Sequence, residues 1–118
     1  SFGYAFKGIA TLIRTQAHAK VHLLAIALIT PLGLWLGLSV LEWCLIVLCM
    51  GLVLSLEGVN TAIEFTVDLA SPDHHPLAGK AKDVAAGAVL IAAIFAAIIW
   101  GLIFIPKLYD QWQLWISG

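Results

Sequence analysis

The chain has 118 residues, of which 62% are hydrophobic and only 11% are charged, and its mean hydropathy is +1.01. A soluble domain of this length needs far less apolar surface to fill its core, so the bilayer must be part of the solvent. The formal net charge is -1, which provides no basic field for a polyphosphate backbone. We therefore drop nucleic-acid binding as a function.

The first twenty residues predict an amphipathic helix that lies on the membrane surface. Over residues 1–20, apolar side chains recur at helical spacing and basic side chains stand between them. The sequence begins at Ser1 without a methionine and lacks the basic region, apolar stretch and cleavage site of a secretory signal. We expect no cleavable leader, and we expect that a few residues precede Ser1.

Three later segments are long and apolar enough to cross a bilayer, since about 20 helical residues span its hydrocarbon core. We predict transmembrane helices at residues 21–40, 42–69 and 82–105. Residues 70–83 contain prolines and a glycine among polar side chains, which indicates a loop with a new helix starting near Lys80 to Asp83. The sequence thus predicts a single all-α membrane domain over residues 1–118.

Basic side chains predict the orientation of these spans. Five of the six lysines and arginines lie in the N-terminal region or the second loop, and only Lys107 lies elsewhere. By the positive-inside rule, we expect the N-terminus and the second loop in the cytoplasm and the C-terminus outside.

Polar side chains interrupt the second predicted span near its cytoplasmic end. In the stretch LEGVNTAIEFTVDL, Glu57, Asn60, Thr61, Glu64 and Asp68 share about 100° of helix surface. An ionisable group in the bilayer costs about 2.5–3.5 kcal/mol even on lenient scales, and Glu57 lies about 10 Å deeper than Glu64. These groups either join helices through hydrogen bonds or carry out chemistry, and the cost of burying Glu57 favours chemistry.

The neighbouring groups indicate what that chemistry is. Two carboxylates on adjacent turns beside an amide can hold Mg²⁺ and leave one carboxylate as a general base. Lys80 and Lys82 suit phosphate oxygens, although Lys80 equally fits a cation that only reaches the interface. A helix that begins around Lys82 would aim free backbone N–H groups at the same region. Together these groups indicate metal-assisted phosphoryl transfer.

Two histidines near the start of the first predicted span could in principle form a metal site. His18 and His22 are four residues apart on one helix face, a spacing that can bind a transition metal. No third ligand and no general-base glutamate accompany them as in a zinc protease motif, so we favour interfacial packing for both.

The motif EGVNTAIEFTVD, followed by HPLAGKAKDVAAGAVL, is similar to the signature of the small prokaryotic integral-membrane lipid kinases, the diacylglycerol kinase and undecaprenol kinase family. The likeness runs from Tyr4 to about Ile103. It implies a homotrimer in the bacterial cytoplasmic membrane, with Mg²⁺ as cofactor, that transfers the γ-phosphate of ATP to the hydroxyl of a membrane lipid. The segments look closer to the undecaprenol kinase branch, so we expect undecaprenol as acceptor, with diacylglycerol as the alternative.

The resemblance also implies roles for individual residues. Glu57 would be the general base that takes the proton of the lipid hydroxyl, and Glu64 would be a Mg²⁺ ligand. Asn60 would orient these groups, Asp68 would lie beside them, and Lys82 would contact the transferred phosphate. The residues expected at the nucleotide are Tyr4, Lys7, Asp73, His75, Gly79, Lys82 and Asp83.

One position departs from the family pattern. Where well-known members carry a second metal-binding glutamate on the surface helix, this sequence has Gln16. An amide oxygen can ligate Mg²⁺ but brings no charge, so we expect weaker Mg²⁺ affinity or the loss of a second ion.

A different class of function remains open at this point. In a non-enzymatic transporter subunit or scaffold, the same carboxylates would relay protons or bind a cation. That function does not need lysines facing the carboxylates, so the sequence favours the kinase.

Overall fold

The computed structural model describes all 118 residues, which form four helices in succession. These are α1 (Phe2–Thr15), α2 (Ala17–Leu36), α3 (Val40–Ala70) and α4 (Pro76–Ser117). By length and composition, α2, α3 and α4 could each cross a membrane. The predicted all-α fold with three candidate spans is therefore confirmed.

The break between the surface helix and the first span lies at Gln16, earlier than predicted. Gln16 is extended (φ -110°, ψ 116°), and its backbone N–H donates to the carbonyl of Leu12 at 3.0 Å to close α1. His18 and Lys20, which were predicted on the surface helix, therefore belong to α2 together with His22. None of the residues of α1 is buried in the single chain, and its location on the membrane surface stays a prediction.

A tight turn connects α2 to α3 at the opposite end of the molecule. Gly37 ends α2 in the left-handed region (φ 68°), where glycine has no Cβ to clash. Ser39 and Glu42 then form a capping box, with bonds of 3.2 Å from the Glu42 N–H and 2.9 Å from the Ser39 N–H. Lys107 of α4 lies 3.4 Å from Glu42, so this end of α3 is fixed from two sides.

The last helix begins at Pro76, so the predicted start near Lys80 to Asp83 is wrong. Proline is favoured in the first turn because its missing N–H would have no partner there, and the Nδ1 of His75 accepts the N–H of Leu77 at 3.1 Å. The backbone N–H of Lys82 is therefore inside the helix and is not free to bind an anion. The helix also continues past residue 105 to Ser117.

The apolar core joins α3 to α4 near the capped end of α3. It consists of Leu38, Ile46, Ile103 and Phe104, with partly buried tryptophans 43 and 100 packed against it. Only 13 of the 118 residues are buried in the single chain, although 62% are hydrophobic. Most apolar side chains thus face outward from the single chain, as expected of helices that can cross a membrane.

The close approach of Gly33 to Trp43 yields a test of this packing. A Cβ at Gly33 would lie 2.6 Å from the Trp43 ring and 2.9 Å from Leu38. We expect Gly33→Ala to destabilise the protein by about 1–3 kcal/mol through overpacking, despite the better helix propensity of alanine. Thermal denaturation in detergent should show a lower midpoint.

The control is Gly87→Ala on α4, where a Cβ meets no atom within 4 Å. Its midpoint should equal or exceed that of the parent protein. Equal midpoints for both variants would contradict the close packing at Gly33.

Candidate functional site

The acidic stretch of α3 lines a cavity of about 350 Å³ between α2, α3 and α4, which we call the polar cavity. Its polar residues belong to the start of α2, to the connection between α1 and α2, and to one face of α3. Apolar residues of α4 line the remaining side. The lining residues are Gln16, His18, Val21, His22, Glu57, Asn60, Glu64, Ala86, Val89, Leu90 and Ala93. Four residues of this lining were predicted to be catalytic or metal-binding: Gln16, Glu57, Asn60 and Glu64. The structure brings all four to one cavity.

Glu57 is the most buried polar residue of the cavity, with 1% of its surface exposed. Two imidazoles of α2 flank its carboxylate: His18 Nδ1 lies 3.7 Å from Oε1, and His22 Nε2 lies 3.7 Å from Oε2. Oε2 is enclosed and has no hydrogen-bond partner. The carboxylate therefore has unused hydrogen-bonding capacity inside an apolar bundle, a property expected of a group that handles protons.

Asn60 and Glu64 form the second polar group of the cavity. The amide Nδ2 of Asn60 donates to Oε1 of Glu64 at 3.2 Å, while its buried Oδ1 has no partner. This leaves an amide oxygen and a carboxylate, with Gln16 in the same lining, as oxygen donors of the kind that Mg²⁺ prefers. The residues present therefore fit a magnesium ion.

A transition-metal site at the histidines has less support. The structure contains no group of three or more histidine, cysteine, aspartate or glutamate side chains that could hold a metal ion. His18 and His22 instead face the carboxylate of Glu57. Both histidines thus belong to the surroundings of that acid.

A second cavity of about 320 Å³ lies beyond the polar cavity along α3, at the α3–α4 connection, and we call it the loop cavity. Lys82 and Asp68 both line it and form an ion pair. Asp68 lies one helical turn after Glu64 on α3. The lining residues are Val67, Asp68, Ser71, Pro72, Asp73, His74, His75, Ala78, Gly79 and Lys82. Four of the residues predicted at the nucleotide, Asp73, His75, Gly79 and Lys82, therefore lie around one space.

Three other residues predicted at the nucleotide lie apart from both cavities. Tyr4 and Lys7 lie together on α1, with the Lys7 ammonium 5.9 Å from the Tyr4 ring centre, and neither lines the polar or the loop cavity. Asp83 is exposed on α4 and lines neither. Their assignment to the nucleotide stays a prediction.

A third space, which we call the apolar pocket, lies beside the polar cavity and nearer the core. It measures about 140 Å³, and ten of its eleven lining residues are hydrophobic. His22 and Ala93 line both this pocket and the polar cavity. The polar cavity therefore adjoins a space whose lining is almost wholly apolar.

Three histidines lie at these cavities in ways that the sequence did not predict. The sequence predicted a packing role for His18 and His22, whereas both contact Glu57, and it did not single out His74, which lines the loop cavity. The only local signal was the four-residue spacing of His18 and His22. Their partner is on another helix, so the contact depends on the register of α2 against α3.

Fold and site together define an all-helical protein with three candidate membrane spans, one buried acid, and further carboxylates and a lysine toward the α3–α4 connection. Residues 3–104 match the family described as Prokaryotic diacylglycerol kinase. Because that match covers most of the chain, the chain belongs to the prokaryotic diacylglycerol kinase family.

Individual relatives agree with this assignment. The chain is 47% identical over 108 residues to the undecaprenol kinase of Bacillus subtilis, a match that covers 92% of this chain and 88% of that protein. It is 42% identical over 110 residues to a diacylglycerol kinase of Synechocystis, covering 92% of this chain and 62% of that protein. With the diacylglycerol kinase of Escherichia coli K12 it shares 35% identity over 98 residues, covering 83% of this chain and 80% of that protein.

The predicted activity class is confirmed by these relationships. The protein is a lipid kinase, and a kinase of this family uses ATP. The alternative of a non-enzymatic transporter subunit or scaffold is set aside.

Proposed function

We propose that this kinase transfers the γ-phosphate of ATP to the hydroxyl of undecaprenol, with Glu57 as the general base. The observation that carries the proposal is the position of Glu57, a buried carboxylate in a polar cavity that adjoins an apolar pocket. We propose that the lipid places its hydroxyl at the carboxylate and the carbons next to that hydroxyl against the apolar residues. A proton acceptor must lie within hydrogen-bond reach of that hydroxyl, and the cavity gives Glu57 this access.

The proposed reaction is a direct transfer in one step. The hydroxyl oxygen of the lipid attacks the γ-phosphorus as its proton passes to the carboxylate of Glu57. The bond between the γ-phosphorus and the β,γ-bridging oxygen breaks, and ADP leaves with that electron pair. The products are the lipid phosphate, ADP and a protonated Glu57, which returns its proton to water. Such transfers depend on positioning and charge neutralisation more than on covalent chemistry.

Mg²⁺ fits the oxygen donors of the polar cavity, and we assign Glu64 and Gln16 as its protein ligands. The unpartnered Oδ1 of Asn60 is a further candidate, and its amide N–H holds Glu64 in place. Bound with the nucleotide, the ion would neutralise charge on the phosphate oxygens. Two or three protein oxygens suffice because Mg²⁺ keeps waters and takes phosphate oxygens as its other ligands.

The loop cavity is the proposed nucleotide site. Lys82 forms an ion pair with Asp68, one helical turn after Glu64 on α3. We assign it to the transferred phosphate, with Asp73, His75 and Gly79 beside the nucleotide and Tyr4, Lys7 and Asp83 as further contacts from α1 and α4. With this assignment we propose that the N-terminus and the α3–α4 connection are cytoplasmic and that the C-terminus is external. We also propose a homotrimer whose subunits cover part of the exposed apolar surface.

Glu57→Gln tests the general base. The amide has nearly the shape of the carboxylate but cannot take a proton, so we expect turnover to fall by at least about 100-fold, the lower range for loss of general-base catalysis. The measurement is phosphate transfer from ATP to lipid in mixed micelles, with size-exclusion profile and thermal midpoint as controls for folding. Near-normal turnover in a folded variant would remove Glu57 as the base.

Gln16→Glu tests the metal assignment. A carboxylate at this position adds a charged oxygen to the polar cavity, and we expect half-maximal activity at a Mg²⁺ concentration about 3- to 10-fold lower. Gln113→Glu, at the far end of α4, is the matched control and should leave the Mg²⁺ dependence unchanged. An unchanged Mg²⁺ dependence in Gln16→Glu would place the metal ligands elsewhere.

Competition between lipids tests the acceptor. The 47% identical relative is an undecaprenol kinase, which favours undecaprenol as the acceptor. With equal amounts of undecaprenol and diacylglycerol in mixed micelles, we expect the phosphate of undecaprenol to be the main product. A preference for diacylglycerol would overturn the acceptor while leaving the activity class unchanged.

A further inference from the structure

His22 stands between the two spaces that the reaction would use. It is the only residue of the apolar pocket that is not hydrophobic, and it also lines the polar cavity. Its side chain is 27% exposed, and Ala19, one turn earlier on α2, has no exposed surface. The ring is therefore held on a packed part of α2.

The two imidazoles beside Glu57 differ in their setting. His22 Nε2 faces Oε2, the enclosed oxygen without a hydrogen-bond partner, whereas His18 Nδ1 faces Oε1 from a side chain that is 82% exposed. Both contacts measure 3.7 Å, beyond the usual limit of about 3.2 Å for N–H···O, so each imidazole lies next to an oxygen of Glu57 without a hydrogen bond to it in this structure. Only the His22 side is shielded enough to hold one oxygen in a fixed direction.

We propose that His22 is a positioning residue for Glu57. Its Nε2–H donates to Oε2, which turns Oε1 toward the lipid hydroxyl as the oxygen that takes the proton. The donor exists in the imidazolium and in one of the two neutral tautomers, so the role needs an N–H at this atom and no particular charge. This inference rests on the proposed role of Glu57 as the base.

The matched pair His22→Gln and His22→Leu tests the donor. The glutamine amide nitrogen occupies nearly the place of the imidazole Nε2 and keeps an N–H, whereas leucine has similar bulk and none. Loss of a bond to a charged group predicts that kcat of His22→Leu falls about 10- to 100-fold while KM for ATP stays within about 2-fold. His22→Gln should recover kcat to within about 3-fold of the parent protein.

A kcat unchanged in His22→Leu would overturn the proposal, as would equal losses in the leucine and glutamine variants. If His22→Leu does not fold, His22→Asn replaces it, because its shorter amide does not reach Oε2; equal activity of the asparagine and glutamine variants would then contradict the role. Glu57→Gln is assayed in the same series. An inactive Glu57→Gln beside a fully active His22→Leu removes only this inference, whereas an active Glu57→Gln removes the base itself.

Discussion

The buried carboxylate of Glu57 is the interaction on which the rest of the site depends. A carboxylate enclosed by an apolar bundle is costly to desolvate, and the cost is tolerable only where donors or cations lie close to it. Here two imidazoles of α2 lie 3.7 Å from its oxygens, and the Asn60–Glu64 pair follows one turn later on α3. The register of α2 against α3 therefore decides whether the acid is held in place.

That register is set at the other end of the molecule. Gly37 turns the chain, the Ser39–Glu42 box starts α3, and Gly33 admits the Trp43 ring against the backbone of α2. The core of Leu38, Ile46, Ile103 and Phe104 then joins α3 to α4 at this end. The tightly packed end positions the helices, so that the opposite end can contain cavities without losing alignment.

This division of the molecule suits a lipid kinase. One substrate must approach from the bilayer and the other from water, and the three spaces differ accordingly in polarity. The apolar pocket adjoins the polar cavity through His22, and the loop cavity follows along α3 from Glu64 to Asp68. The carboxylates of Glu57, Glu64 and Asp68 thus follow one another along α3, and Lys82 approaches the last of them from α4.

Much of this arrangement could be predicted from the sequence, because it depends on local patterns. The length of the apolar runs predicted three spans, and helical spacing predicted that Glu57, Asn60 and Glu64 share a face. The start of α4 was missed because Pro76 and Gly79 were taken as signals of a loop, although proline also fits the first turn of a helix. The contacts of His18 and His22 with Glu57 could not be predicted, since they join residues about forty positions apart whose alignment depends on the packing of whole helices.

The most direct test of the account is the transfer of labelled γ-phosphate from ATP to a bacterial membrane lipid extract by the purified, reconstituted protein. With Mg²⁺ present, the account predicts one labelled lipid, soluble in organic solvent and identified as a polyprenyl phosphate by mass spectrometry. Chelation of Mg²⁺ should abolish the product. Label that reaches only inorganic phosphate, or a labelled lipid that persists after chelation, would contradict a metal-assisted transfer to a lipid hydroxyl at this site.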